Sequence, residues 1–333
     1  MRSAAWEGDP PQLGVAVSSY RRPAFLPELV RALEAQTLPA AEFEVTIVDN
    51  GSNDDTWAVL CRLCAATPLR LQVARVGANR APAGGRNLAV SLTRAPFVAF
   101  TDDDCLPTAG WLEAMRGAAE TADVVQGHTS PDPEGRRTSP WDRSVHVWAP
   151  TPFYETCNLV VRRALFEQLG GFDANGSVIG HRSARPFGED AELGWRARVA
   201  GASIAFEDTA IVHHRWLPGR YFDWLSERRQ LANFPALARR STDVADVLWH
   251  RVFLTRATAA FDLALVATVA GVLTRRPLLA VAGGLPWLGL RWPEARRRGG
   301  RPMPVPLMQL GLGDLVGMVS LLEGSIRHRR VVI

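Results

Sequence analysis

The chain has 333 residues, an apolar fraction of 47% with 11 Trp, and a formal net charge of +4. That length buries a full core and leaves room for a smaller appendage, and the composition excludes a disordered chain. No lysine occurs anywhere, which removes P-loop nucleotide hydrolases, lysine Schiff-base enzymes and lysine general bases together.

Residues 1–11 read as an N-terminal tail, without the charged-then-apolar pattern of a signal segment, which predicts a cytoplasmic protein. Leu13–Ser19 is a first strand, followed by a Pro-initiated helix through Leu26, Leu29, Val30 and Leu33. Glu44–Asp49 is a second strand closed by the turn signal Asn50-Gly51-Ser52. A helix over Thr56–Ala66 carries Cys61 and Cys64. Their spacing suits a buried helix face, since no second pair or redox context accompanies them. A strand over Leu69–Val73, a helix over Gly85–Leu92 and an apolar strand ending at Phe100 follow. This alternation predicts an α/β fold, a mostly parallel Rossmann-like sheet with helices on both faces. Ligands of such sheets bind beyond the carboxyl ends of the strands. Ser18-Ser19-Tyr20, Asp49-Asn50 and Asp102-Asp103-Asp104 all stand at such ends and are expected to share one cleft.

Three adjacent carboxylates after a buried strand repel one another and call for a cation. Their hard oxygens suit Mg²⁺ or Mn²⁺, ions that commonly hold nucleotide phosphates. An acidic turn ahead of a helix near Ala109 is the simpler alternative. Val124–His128 and Asn158–Val161 read as further strands, and Arg163–Leu169 as a helix ending at Gly170-Gly171. Glu189 and Asp190 open another helix, where acids favour the positive end, so helix capping alone accounts for them as well as catalysis does.

From about Val252 the character changes. Ala257–Leu273 is apolar apart from Asp262 and small or threonine residues, and Pro277–Leu290 is a shorter apolar run. Arg275-Arg276, Arg296-Arg297-Arg298, Arg301 and Arg327-His328-Arg329-Arg330 flank these runs. The first run carries a carboxylate and the second is too short to span a bilayer. Helices lying in an anionic membrane interface fit the pattern, as does a helical appendage packed on the rest of the protein or on a second copy in a homodimer. No nucleic-acid-reading motif accompanies the arginines.

With these motifs in order, residues 12–225 resemble the family 2 glycosyltransferases of GT-A fold, leaving 226–333 as a C-terminal helical region. The resemblance is carried by Val15–Pro23, Val45–Thr56, Gly85-Arg86-Asn87, the Asp102-Asp103-Asp104 run, Thr156–Arg163 with Leu169–Asp173, and Gly188–Arg196. It implies inverting transfer of a hexosyl or N-acetylhexosaminyl group from a UDP-sugar to a glycan, a lipid-linked or a small-molecule or carrier-bound acceptor. By that resemblance Ser18, Tyr20, Arg22, Asp49, Asn50, Arg86, Asp102, Asp103 and Asn158 would contact the nucleotide-sugar. Asp104, Asp102 and His214 would hold Mg²⁺ or Mn²⁺, and Asp190, beside Glu189, would be the general base. His213 competes with His214, since strand neighbours face opposite sides. The protein would work in the cytoplasm, peripherally on the inner face of the cell membrane. Two rivals stand beside this reading. A nucleotidyltransferase of related fold would want a basic glycine-rich loop and a lysine, and a catalytically inactive membrane scaffold would have no need of the acids.

Overall fold

The computed structural model describes residues 1–174, 187–298 and 302–333; Arg301 of the arginine clusters lies outside them. By its contacts the chain divides into two units, one of residues 1–136 and 144–216, the other of residues 137–143 and 217–333.

The first unit is built on an eight-stranded sheet: β1 (Leu13–Ser19), β2 (Phe43–Asp49), β3 (Leu71–Arg75), β4 (Phe97–Phe100), β5 (Cys105–Pro107), β6 (Val124–Pro131), β7 (Leu159–Arg162) and β8 (Ile204–His214). The spatial order is β3-β2-β1-β4-β7-β6-β8-β5. The first four strands are parallel, and β7 enters antiparallel between β4 and β6. Of β1, six residues are buried, which explains why it reads as an unbroken apolar run rather than an alternation. In register, Ser19 pairs with Asp49 and Ala16 with Phe100, so the chain leaves β1, β2 and β4 at one edge of the sheet.

Helices cover both faces. On one, α1 (Leu26–Glu34), α2 (Thr56–Ala66) and α4 (Trp111–Ala119) contribute Leu29, Leu33, Leu60, Trp111 and Met115 to the core, and Cys64 is one of its buried thiols. On the other, α3 (Ala81–Leu92), α5 (Arg163–Gln168) and α6 (Glu189–Val199) contribute Val90, Phe166 and Leu193. Helix α3 begins four residues before the expected Gly85, because Pro82 fits a first turn that needs no N–H. The third strand lies two residues later than expected. No helix follows the aspartates directly: Cys105–Pro107 forms β5, which pairs antiparallel with the end of β8.

The second unit is helical: α7 (Tyr221–Glu227), a 3₁₀ turn at Arg228–Asn233, α8 (Phe234–Arg240), α9 (Thr242–Asp246), α10 (Arg256–Leu273), α11 (Pro277–Arg297) and α12 (Pro304–His328). The second apolar run is longer than its sequence suggests, since α11 continues through Pro286 and Pro293 to Arg297. By length and composition α10 and α12 suffice to cross a membrane, with mean hydropathies of 1.5 and 1.6. Gly313 and Gly324 of α12 let it approach Trp224 and the Ala232 carbonyl, where a Cβ would come within 2.1 Å of either.

Asp314 joins these helices. Its side chain is 1% exposed and pairs with Arg291 and, at 3.4 Å, with Arg228. It also accepts from Trp287 Nε1 at 2.8 Å. Replacing Asp314 by Ala leaves both guanidinium groups without their buried counter-charge. Urea unfolding should show a loss of about 3–5 kcal/mol, whereas Glu323→Ala, which removes an exposed pair, should stay within about 0.5 kcal/mol of the parent.

Candidate active site

The ends of β1, β2 and β4 open onto a cleft of ≈ 1410 Å³ whose lining includes Ser18, Tyr20, Arg22, Asn50, Arg86 and the three aspartates. The aspartates are separately neutralised. Arg22, from the loop after β1, places Nη1 2.7 Å from Asp103 Oδ1 and in contact with Asp104 Oδ2. Arg86, in the first turns of α3, donates to Asp102 Oδ1 at 2.6 Å. Ser19 Oγ adds a bond to Asp103 Oδ2 at 2.7 Å. Burial pushes the Asp103 carboxyl up to about 6; Arg22 opposes this and Asp104 adds to it. Asp102 moves the other way, below the usual range: burial pushes it up, but Arg86, helped by His214 and Arg22, outweighs that cost.

Arg86 also turns toward α6. Its Nη1 lies 3.5 Å from Asp190 Oδ1 and 3.9 Å from Glu189 Oε1. The backbone N–H and Oγ1 of Thr156 donate to Asp190 Oδ2 at 3.2 and 2.9 Å. Burial nevertheless raises the Asp190 carboxyl to about 7, with Arg86 pulling down and Glu189 pushing up. A carboxyl poised there is suited to take and release a proton near neutral pH. Thr156 was not among the named site residues, although it opens the Thr156–Arg163 segment that carries the resemblance; the fold brings it to Asp190.

The β5–β8 pairing sets Cys105 opposite His214 and Leu106 opposite His213. His214 is buried and its Nε2 lies 3.6 Å from Asp104 Oδ1, while Nδ1 engages the Arg215 carbonyl at 2.8 Å. His213 instead meets Ser130 Oγ at 2.9 Å. Asp104, Cys105 and His214 bring an oxygen, a sulfur and a nitrogen within 4.8 Å of one another. Burial pushes the Cys105 thiol well above its ordinary value. The carboxylates of Asp104 and, beside it, Asp102 supply the hard oxygen donors that suit Mg²⁺ or Mn²⁺.

The remaining expected residues divide. Asp49 is fully buried; Oδ1 accepts from the Ser52 N–H at 2.9 Å, and Oδ2, 3.1 Å from Arg75 Nε in ion-pair range, accepts no hydrogen bond. Asn50 donates to the Ala81 carbonyl at 2.7 Å and accepts from the Arg80 N–H at 3.2 Å, which fixes the start of α3. Gly85 lets α3 close onto Ser18, whose Oγ would stand 2.1 Å from a Cβ. Asn158 departs from expectation. It is 2% exposed, accepts from Trp111 Nε1 and donates to the carbonyls of His128 and Ala210, all at 2.8 Å. Its polar atoms are spent on joining α4, β6 and β8, and none faces the cleft.

Residues 14–175 match the glycosyl transferase family 2. The succinoglycan biosynthesis protein ExoM of Rhizobium meliloti is 28% identical over 232 residues, 65% of this chain and 71% of that protein. The pre-mycofactocin glycosyltransferase of Mycobacterium tuberculosis is 28% identical over 195 residues, 51% of this chain but only 37% of that protein. Among solved structures, the mannosyltransferase PcManGT from Pyrobaculum calidifontis in complex with GDP-Man and Mn²⁺ superposes with a TM-score of 0.57 at 16% identity, covering 96% of this chain and 88% of that one. The S. aureus TarS 1–349 complex with UDP gives 0.51 at 19% identity, covering 96% and 92%. The fold is therefore that of the GT-A glycosyltransferases, and the stretch that matches the glycosyl transferase family 2 lies, apart from residues 137–143, within the sheet-bearing unit.

Proposed function

We propose that this domain transfers a sugar, with inversion, from a nucleotide-sugar to an acceptor hydroxyl or other nucleophile, with a UDP-sugar as the first donor to test. The carrying observation is that one guanidinium, Arg86, touches both Asp102 of the aspartate run and Asp190 of α6. A donor-side cluster and a proton acceptor thus meet at one guanidinium of the cleft wall. The printed names of similar proteins support a nucleotide-sugar donor: TarS in complex with UDP and with UDP-GlcNAc, and PcManGT with GDP-Man and Mn²⁺. For the acceptor, a glycan, a lipid-linked sugar or a small-molecule or carrier-bound intermediate suits the names of the sequence relatives. The setting would be the cytoplasmic side of the cell membrane.

Asp104 and His214, with Asp102, would hold Mg²⁺ or Mn²⁺, whose chemistry is to neutralise charge gathering on a leaving diphosphate. Arg22 and Arg86 face the same charge from the protein side. Asp190 takes the proton from the acceptor as its oxygen attacks the anomeric carbon. Thr156 holds one carboxylate oxygen of Asp190, fixing the plane of the group. Asp49, whose buried Oδ2 is ion-paired with Arg75 next to the cleft-lining Asn50, would answer to an imide N–H of the base, as in uracil.

Release of UDP from a panel of UDP-sugars with Mn²⁺ tests the assignment directly; release of pyrophosphate from UTP instead would make the protein a nucleotidyltransferase. Asp190→Asn should lower kcat by roughly a hundredfold or more while donor KM changes little. Only the ionised carboxyl accepts a proton and it titrates at about 7, so the wild-type rate should climb as pH rises through that value. The variant should lose this limb. A retained limb would move the base elsewhere, with Glu189 the first residue to examine.

Arg22 neutralises Asp104, a carboxylate that a metal would use, so Arg22→Gln should bare it. A side chain a third exposed is partly screened, so the expected loss of stability without metal is on the order of 1–2 kcal/mol. Mn²⁺ should then raise the melting temperature more in the variant than in the parent. Asp104→Asn should abolish the Mn²⁺ shift, and a shift that survives in Asp104→Asn would place the ion elsewhere.

A further inference from the structure

The second unit carries a surface that its own packing leaves uncovered. Helices α10 and α11 form an antiparallel hairpin joined by small residues: a Cβ on Gly283 would stand 2.2 Å from Ala267 Cβ, and Gly271 lies against the start of α11. Phe261 packs against Trp287, which donates to Asp314 of α12, but many of the larger aliphatic side chains point outward. Val266, Val272 and Leu273 of α10 are 65%, 73% and 79% exposed, and Leu278 and Val281 of α11 are 78% and 60% exposed. Between Leu263 and Leu290 the only charged side chains are Arg275 and Arg276, at the tip. A helix apolar around most of its circumference belongs in a protein core or in lipid.

We infer that the α10–α11 hairpin is a membrane-docking element, which seats its apolar surface in the interface of an anionic bilayer with Arg275 and Arg276 on lipid phosphates. Charge selects the occupant. The tip is cationic, Arg296 and Arg297 add positive charge at the other end of α11, and Leu263–Leu290 contains no acid. A second copy meeting this surface through its own tip would bring like charge to it; the hairpin's two carboxylates, Asp262 and Glu294, lie toward the far ends of the helices, and Glu294 is already paired with Arg291 and Arg298. Anionic headgroups answer the charge of the tip directly. Charge also sets the depth. A spanning hairpin needs two helices apolar enough to cross, and of this pair only α10 is; a hairpin driven tip-first to the bilayer centre would carry two guanidinium groups into hydrocarbon, at several kcal/mol. The helices therefore lie within the headgroup and upper acyl region, where arginine reaches phosphate and the apolar side chains reach lipid.

The test uses the full chain and vesicles of phosphatidylcholine, with and without an equal part of phosphatidylglycerol. Co-sedimentation is expected with the mixed vesicles only, weakening as salt rises. Arg275→Gln/Arg276→Gln should bind about thirtyfold more weakly, from two lost contacts with the anionic surface. Val272→Ser/Leu278→Ser keeps the charge and should also lose binding, at unchanged circular dichroism. Wild-type protein that ignores anionic vesicles at low salt overturns the inference, as does binding that survives both double variants. Sedimentation velocity supplies the other overturning result: a lipid-free dimer, dissociated by Leu278→Asp, would mean that a second copy covers the hairpin.

Discussion

Three adjacent carboxylates at the end of one strand cannot coexist without cations, and the arrangement of the catalytic unit answers that constraint. Asp102, Asp103 and Asp104 follow β4 directly, where the backbone leaves them no room to separate. Two arginines, one from the loop after β1 and one from α3, divide them, Arg22 taking Asp103 and Asp104 and Arg86 taking Asp102. Each arginine is positioned by something further back. The β1–β2 register brings Ser19 alongside Asp49, Asn50 pins the first turn of α3, and Gly85 lets that helix settle on Ser18. The parallel sheet thus gathers the ends that balance the charge.

The same constraint reaches α6 through Arg86. Because one guanidinium is shared between Asp102 and Asp190, any change of charge on the aspartate run alters the field at the residue proposed as base. A bound diphosphate would compete with the aspartates for Arg86 and Arg22, and a bound cation would compete with the arginines for Asp102 and Asp104. That gives a physical route by which donor binding tunes proton uptake, with no domain movement required.

Much of this was legible in the sequence, for identifiable reasons. The strands β1, β2 and β4 are buried on both sides and announce themselves as apolar runs, so their polar ends stand out. The family resemblance supplied roles for Asp49, Arg86 and Asp190 that spacing alone leaves open. What stayed hidden depends on pairing between distant segments. Cys105–Pro107 is three residues long and ends in proline, so nothing local marks it as a strand, yet its register with β8 turns His214 rather than His213 toward Asp104. Asn158 sits inside a matching motif but spends its amide on the scaffold, because three elements meet there and need a polar joint. Helix α12 escaped notice since its glycines and Asp314 interrupt the apolar pattern. Those glycines are the places where it approaches its neighbours most closely.

The central claim is that Asp190 draws a proton from a nucleophile attacking opposite the leaving diphosphate. Stereochemistry tests it without knowledge of the natural acceptor, since water can take that place. Proton NMR should follow the first sugar released from an α-linked UDP-sugar that the protein hydrolyses in the presence of Mn²⁺. The account predicts the β-hemiacetal first, formed by wild-type protein and lost in Asp190→Asn. An α-hemiacetal appearing first would mean retention, and would contradict the role given to Asp190.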